Sequence, residues 1–289
     1  MKLGKIPEAV LKRSVLKQLK KGNEQVLEGP TVGEDCTVVE LNDEIIMFSS
    51  EPATDVSGQA GVRAVHAAVN NLAAGGATPV GVMITILMPV DAKEKDLKRL
   101  MQEIQRECDW LGISVLGGHT ETTDAVKRIV VSATGIGRGK KGQIIRAGGA
   151  RPNEDIIMTK YAAMEGTGLI ARERAEELRT RYSKDFVQNA QDLLCHISVL
   201  KEAEIAGEYD TSAMHDIREG GVYGGLWELA AASLVGLKVD LDAIPMKQET
   251  VEVCEFFDLN PYKLTSSGCM LIVTPQGRDL VQALCEAGI

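Results

Sequence analysis

Between residues 80 and 116 the chain runs from apolar strand to striped helix and back to strand, and that succession restricts the fold more than any other feature. Residues 80–88 are almost uninterrupted apolar, closed by Pro89, the pattern of a buried strand. The helix expected over 92–111 carries Leu97, Leu100, Met101, Ile104, Cys108 and Leu111 on one stripe. Residues 113–116 then read as a short strand entering Gly117-Gly118. A one-sided helix between two strands needs a sheet to cover. The mixture recurs elsewhere. Before it come a short amphipathic helix over 7–19, strands over 36–41 and 44–49 joined at Asn42-Asp43, and a helix over 61–74 with Val62, Val65, Val69 and Leu72 on one side. After it come strands over 128–135, 143–146, 156–160, 237–241 and 270–274. Helices are expected over 219–235, 248–258 and 278–287, with a polar helical stretch ending near 207. There is no strict strand–helix–strand beat, so the expected class is mixed α/β, with α+β character. The chain has 289 residues, enough for two modest domains. A stretch rich in Gly, Lys and Arg over 135–152 puts the boundary near 148, giving domains 1–148 and 149–289.

Several function classes are excluded early. The net charge of −9 argues against a nucleic-acid surface. No uncharged apolar run approaches the roughly 18 residues of a membrane span. Six cysteines show no paired spacing, so buried free thiols in a reducing, cytoplasmic setting are expected. Gly137-Arg138-Gly139-Lys140-Lys141-Gly142 matches a dinucleotide fingerprint in letters, but no helix is expected after it to receive a pyrophosphate. The P-loop pattern is missing, and Cys195-His196 has no partner in the sequence to make it catalytic.

What remains is a series of carboxylates and amides at turns beside glycines. Glu34-Asp35 follows Gly33, Glu51 follows a strand, and Asn70-Asn71 closes a helix. Thr120 and Glu121 follow Gly117-Gly118, and His215-Asp216 precedes Gly220-Gly221. Each alone reads as a cap or a solvated turn. Together, hard oxygen ligands beside flexible backbone suit Mg2+ bridging phosphates.

Five segments in order, GEDCTVV at 33–39, SSEPATD at 49–55, AVHAAVNNLAAGGATP at 64–79, GGHTE at 117–121 and MHDIREGGVYGGLWEL at 214–229, resemble the AIR synthase superfamily. The stretches at 239–246 and 264–272 resemble its HypE-like hydrogenase-maturation group. The resemblance implies a two-domain PurM-like fold whose first domain forms a dimeric β-barrel through the first two strands and residues 80–88. It implies ATP and Mg2+ between the domains, a homodimer, and a maturation partner. The implied chemistry is ATP-dependent phosphorylation of a carboxamide oxygen, which makes that oxygen a leaving group and ends in dehydration. Residue by residue, it implies catalytic, metal-binding roles for Asp35 and Asp216. It makes Glu51 and Asn71 further metal ligands, and it puts Gly33, Glu34, Asn70, Gly117, Gly118, Thr120, Gly220 and Gly221 against the nucleotide.

Four positions depart from the pattern. Asn71 stands where relatives carry Asp, Glu51 is one methylene longer than the usual Asp, and Arg218 replaces a small Thr. The fourth is the end of the chain, where Leu280, Val281 and Leu284 read as a packed helix, so Cys285 is expected in its core and not as a swinging acceptor. These departures leave two alternatives open: a non-catalytic nucleotide-binding or scaffold member, and another small-molecule kinase or synthetase of the same fold.

Overall fold

The computed structural model describes residues 4–20, 22–42, 44–56 and 58–289. The opening helix α1 (Glu8–Ser14) buries none of its residues and gives way to a 3-10 turn. There follow β1 (Val26–Glu28), β2 (Thr37–Leu41), β3 (Glu44–Thr54), α2 (Ala60–Ala74), β4 (Thr78–Met88), α3 (Glu94–Leu111), β5 (Ser114–Thr122) and β6 (Val130–Gly139). The six strands make one sheet in the order β1-β2-β3-β6-β4-β5. All neighbours are antiparallel except β4 and β5, which α3 joins as a parallel pair. Of the turn expected at Asn42-Asp43, Asn42 is left-handed at φ 50°, and Asp43 lies outside the described residues.

The second unit holds β7 (Asp155–Met158), α4 (Met164–Glu173), α5 (Ala175–Leu178), α6 (Lys184–Asp192), α7 (Leu200–Ala206), β8 (Ala213–Ile217), α8 (Gly221–Ser233), α9 (Gln248–Phe256), β9 (Cys269–Thr274) and α10 (Gly277–Glu286). Its antiparallel sheet has the order β7-β9-β8. α8 covers one face through Val222, Leu226 and Leu229, and α7 and α10 cover the other through Ala203, Ala206, Leu280 and Leu284.

α2 joins the two units. Every residue of it is buried except Val62 and Arg63, because its sequence is apolar nearly all round. Val65, Ala68 and Val69 pack with Ile84 and Ile86 of β4, Val131 of β6 and Ile104 of α3. Fully burying a side chain such as Ile104 contributes about 2 kcal/mol. The last turn, Ala73 and Ala74, enters a different core with Met214, Met270 and Ile272 of the second sheet.

Some expectations are corrected. Residues 143–146 and 237–241 are not strands; the second stretch leads into a 3-10 turn at Leu241–Ala243. β8 was not expected, because His215 and Asp216 interrupt its apolar run, yet all five of its residues are buried. The polar helical stretch is broken into α4 to α7. Glu51 lies inside β3, and Gly117 to Thr120 lie inside β5, not in loops. Cys285 is exposed, since the buried stripe of α10 runs through Gly277, Leu280 and Leu284 and turns away from it. Cys195 is exposed too, so only some of the six thiols are buried. Among the described residues no helix is long and apolar enough to cross a membrane.

Candidate functional site

Asp35 precedes β2, and Asp216 is the penultimate residue of β8. The fold brings them together across the junction of the two sheets: the Asp216 N–H donates to Asp35 Oδ2 at 3.3 Å. His215 completes the contact. Its Nδ1 lies 3.0 Å from Asp35 Oδ2, and its Nε2 lies 3.1 Å from Glu228 Oε2 on α8. Both neighbours are carboxylates, so both ring nitrogens donate and the ring is an imidazolium. Burial pulls His215 toward neutrality, but the charges and hydrogen bonds of Asp35 and Glu228 outweigh it and push its pKa up to about 10. Lys5 pairs with Glu228 from outside.

A second group lies on β3, α2 and the end of β8. Asn71 donates its amide to Ser49 Oγ at 2.9 Å and to Glu51 Oε1 at 2.8 Å. Arg218 forms an ion pair with the other oxygen of Glu51 and reaches Glu219 at 3.3 Å. Asp216 is buried, and neither carboxylate oxygen has a hydrogen-bond partner. Burial drives its pKa well above the usual carboxylate range; Arg218 opposes that and Asp35 adds to it.

A third group ties the units together behind the first two. Arg63 Nε of α2 donates to Glu165 Oε1 of α4 at 2.6 Å. Thr265 and Ser267 donate to Glu165 Oε2 at 2.7 and 2.6 Å. Burial alone would raise the Glu165 pKa, but the Arg63 charge and these hydrogen bonds hold it below the ordinary value.

The expected site residues fare unequally. Asp35 and Asp216 meet, and Glu51 and Asn71 touch each other. Asn70 is committed elsewhere: its amide donates to Ile197 O at 2.7 Å and accepts from Val199 N–H at 3.0 Å, so it fastens α2 to the chain before α7 and has no free end for a nucleotide. Glu34 receives the Gly148 N–H at 3.4 Å, and burial, ahead of the Asp35 charge, raises its pKa. Gly33 packs against the Glu228 carbonyl and Ala232 of α8, where a Cβ would stand 3.2 Å from that oxygen. Gly220 and Gly221, at φ 97° and 62°, turn the chain into α8; a Cβ on Gly221 would come within 2.5 Å of Tyr262 O. Gly117, Gly118 and Thr120 lie on the edge strand. In the register Glu51–Ala133–Ile84–Gly118, that strand is three steps from β3, about 14 Å away. Within one chain they do not join the aspartates.

The residues fit a resident divalent ion poorly. Among the described residues no group of three or more His, Cys, Asp or Glu side chains is placed to hold a metal. Both oxygens of Glu51 already accept from Asn71 and Arg218. The cavity beside Asp35 and Glu34 is only about 10 Å3, whereas a cavity of about 610 Å3 lies in the second unit around Lys160, Tyr161 and Lys247, away from the aspartates. His215, Glu228, Arg63 and Glu165 were missed as site residues. His215 stood beside Asp216 and could have been found; the other three meet their partners only across separate elements of the fold.

A six-stranded and a three-stranded unit sharing a helix, with aspartates meeting at their junction, define a two-domain α/β protein of the PurM-like class. The chain belongs to the AIR synthase related protein family: the N-terminal domain model matches residues 33–138 and the C-terminal domain model residues 151–289. The carbamoyl dehydratase HypE of Rhizobium leguminosarum bv. viciae is 28% identical over 80% of this chain and 65% of its own length, so the chain spans just under two thirds of that relative. A HypE–HypF complex superposes at TM-score 0.76, with 20% identity, covering 95% of this chain and 88% of that one. A HypE structure in complex with ATP superposes at 0.67, with 18% identity, covering 98% and 82%. At this identity the solved structures share the fold.

Proposed function

We propose that this chain is an ATP-dependent enzyme of the HypE type, which activates a carboxamide by phosphorylating its oxygen. The carboxamide oxygen attacks the γ-phosphorus and ADP leaves. Loss of phosphate and the nitrogen-bound protons then gives a nitrile-type product. The observation that supports this best is the meeting of Asp35 and Asp216, residues 181 positions apart, at the junction of the two units. Phosphoryl transfer relies on positioning and charge. Asp35 is held by His215, and Asp216 is a buried carboxylate with free oxygens, suited to holding or passing a proton. Mg2+ enters this reading with the nucleotide, as part of the substrate.

The names of relatives extend the reading: a maturation partner, as in the HypE–HypF complex, would present the carboxamide. A homodimer is expected through the face of the first sheet that α2 and α3 leave bare, where Val80, Met83 and Leu116 are exposed, and a shared barrel would cover them. A cytoplasmic location and a boundary near 148 belong to the same proposal. The test is ADP release from ATP and Mg2+ with a carbamoylated cysteine peptide. Asp35→Asn and Asp216→Asn should each lower turnover about 100-fold; unchanged turnover in both rejects the assignment. A second reading, a partner-binding member without turnover, draws support from the occupied oxygens of Glu51, and predicts no ADP release in the wild type.

A further inference from the structure

Carboxylates gathered where water is excluded need positive charge among them. Here Arg218, two residues beyond Asp216 of β8, crosses to pair with Glu51 of β3, so the positive charge at this place belongs to the chain. Arg218 is only 12% exposed at its side chain, pairs with Glu51 through one nitrogen and reaches Glu219 with another. Of the charges acting on Asp216, Arg218 is the strongest. The neighbouring amide is arranged the same way. Asn71 turns its N–H2 group toward Glu51, a donor facing the carboxylate, which is the wrong polarity for the two to ligate one cation. Three further atoms are unsatisfied: neither oxygen of Asp216 has a partner, and the buried Arg218 Nε–H has no acceptor.

We infer that Arg218 is the built-in cation of this pocket, standing where a divalent ion would have to sit and offering a guanidinium to an incoming phosphoryl group. The resting protein then has no divalent site at Glu51 and Asp216. A guanidinium fork matches phosphate oxygens in geometry and charge, and the free Nε–H supplies an unused donor. This deepens the functional reading above, because it says which group of the same site meets the phosphate and why the metal ligands expected there are not assembled.

The test separates the two. Free Mn2+ is titrated against the full chain without nucleotide and followed by its electron paramagnetic resonance signal. The wild type and Arg218→Lys, which keeps the charge, should show no site tighter than about 1 mM, whereas Arg218→Thr should gain a site at least about tenfold tighter. Asp216→Asn added to that variant should remove the new site. Asn71→Asp adds a carboxylate but leaves Arg218 in place, and should gain nothing. A tight site in the wild type or in Asn71→Asp overturns the inference, as does a folded Arg218→Thr that gains none. If Arg218→Thr does not fold, the wild-type and Asn71→Asp titrations still decide. In a parallel arm, ATP binding is measured calorimetrically in EDTA and in Mg2+. Wild-type affinity should fall by less than about tenfold in EDTA, and Arg218→Lys, lacking the fork, should bind more weakly in EDTA than the wild type. Binding that needs Mg2+ in the wild type overturns the phosphoryl role. No ATP binding in either buffer overturns both that role and the nucleotide reading, while the Mn2+ arm still judges the built-in cation.

Discussion

His215 shows how much one side chain can organise. It is buried, charged and shared between Asp35 and Glu228, so it links the start of β2 to α8 through one ring. His215→Phe leaves the partly buried Asp35 without its cation and Glu228 with only the exposed Lys5, and should cost about 3 kcal/mol of stability in urea unfolding. Glu165 gives a prediction in pH. Its pKa is lower in the folded chain than the free value of 4.5, so its contribution is fully present above that value and fades as pH falls through the lower folded one. Thermal melts should lose stability below about pH 4.5, and Glu165→Gln should flatten that acid limb while costing about 3 kcal/mol at pH 7. Sequence reading picked out Asp35 and Asp216 among carboxylates beside glycines, and the resemblance supplied their individual roles, since a carboxylate at a turn has no local signature of its role. It could not see Glu228 or Glu165, whose partners lie on other elements.

Elements with a clear apolar period were legible, and those with polar interruptions were not. α3 and β4 were placed from the spacing of their apolar residues, within a residue or two at most ends. β8 was hidden by two polar residues that the site requires, an instance of function overriding local pattern. The apolar pattern at 113–116 stops short of the full strand, because Gly117-Gly118 carries no apolar alternation. In fact β5 carries on through a bulge at Leu116: Val115 faces Val82, but Gly117 faces Met83. Gly118 is required there for two reasons. Its φ is +151°, and a Cβ would stand 1.8 Å from Ile84 O. Gly118→Ala should therefore destabilise by about 2 kcal/mol or more, while Gly236→Ala, with open space around it, should stay within about 0.5 kcal/mol. Chemical denaturation of both variants checks the contrast.

On the scale of the molecule, two units were expected from the shift in composition, but not how closely they are joined. Ala73 and Ala74 of α2 lie in the core of the second sheet, Asn70 bonds the backbone at 197 and 199, and Arg63 holds Glu165. The units should therefore unfold together. Trp110 lies on α3 and Trp227 on α8, one reporter in each unit. Fluorescence melts of Trp227→Phe and Trp110→Phe should give coincident transitions once each variant's own stability is allowed for; two separated transitions would show units that fold independently.

The embedded end of α2 also limits how the junction can open to admit a ligand. Swinging the units apart about a linker would pull Ala73 and Ala74 out of the second core into water. Small side chains there interlock little with the second sheet, so a small displacement along α2 exposes less apolar surface than a swing does. Opening and closing should thus be a shear along the α2 axis, with displacements spread over many packed residues and no single pivot.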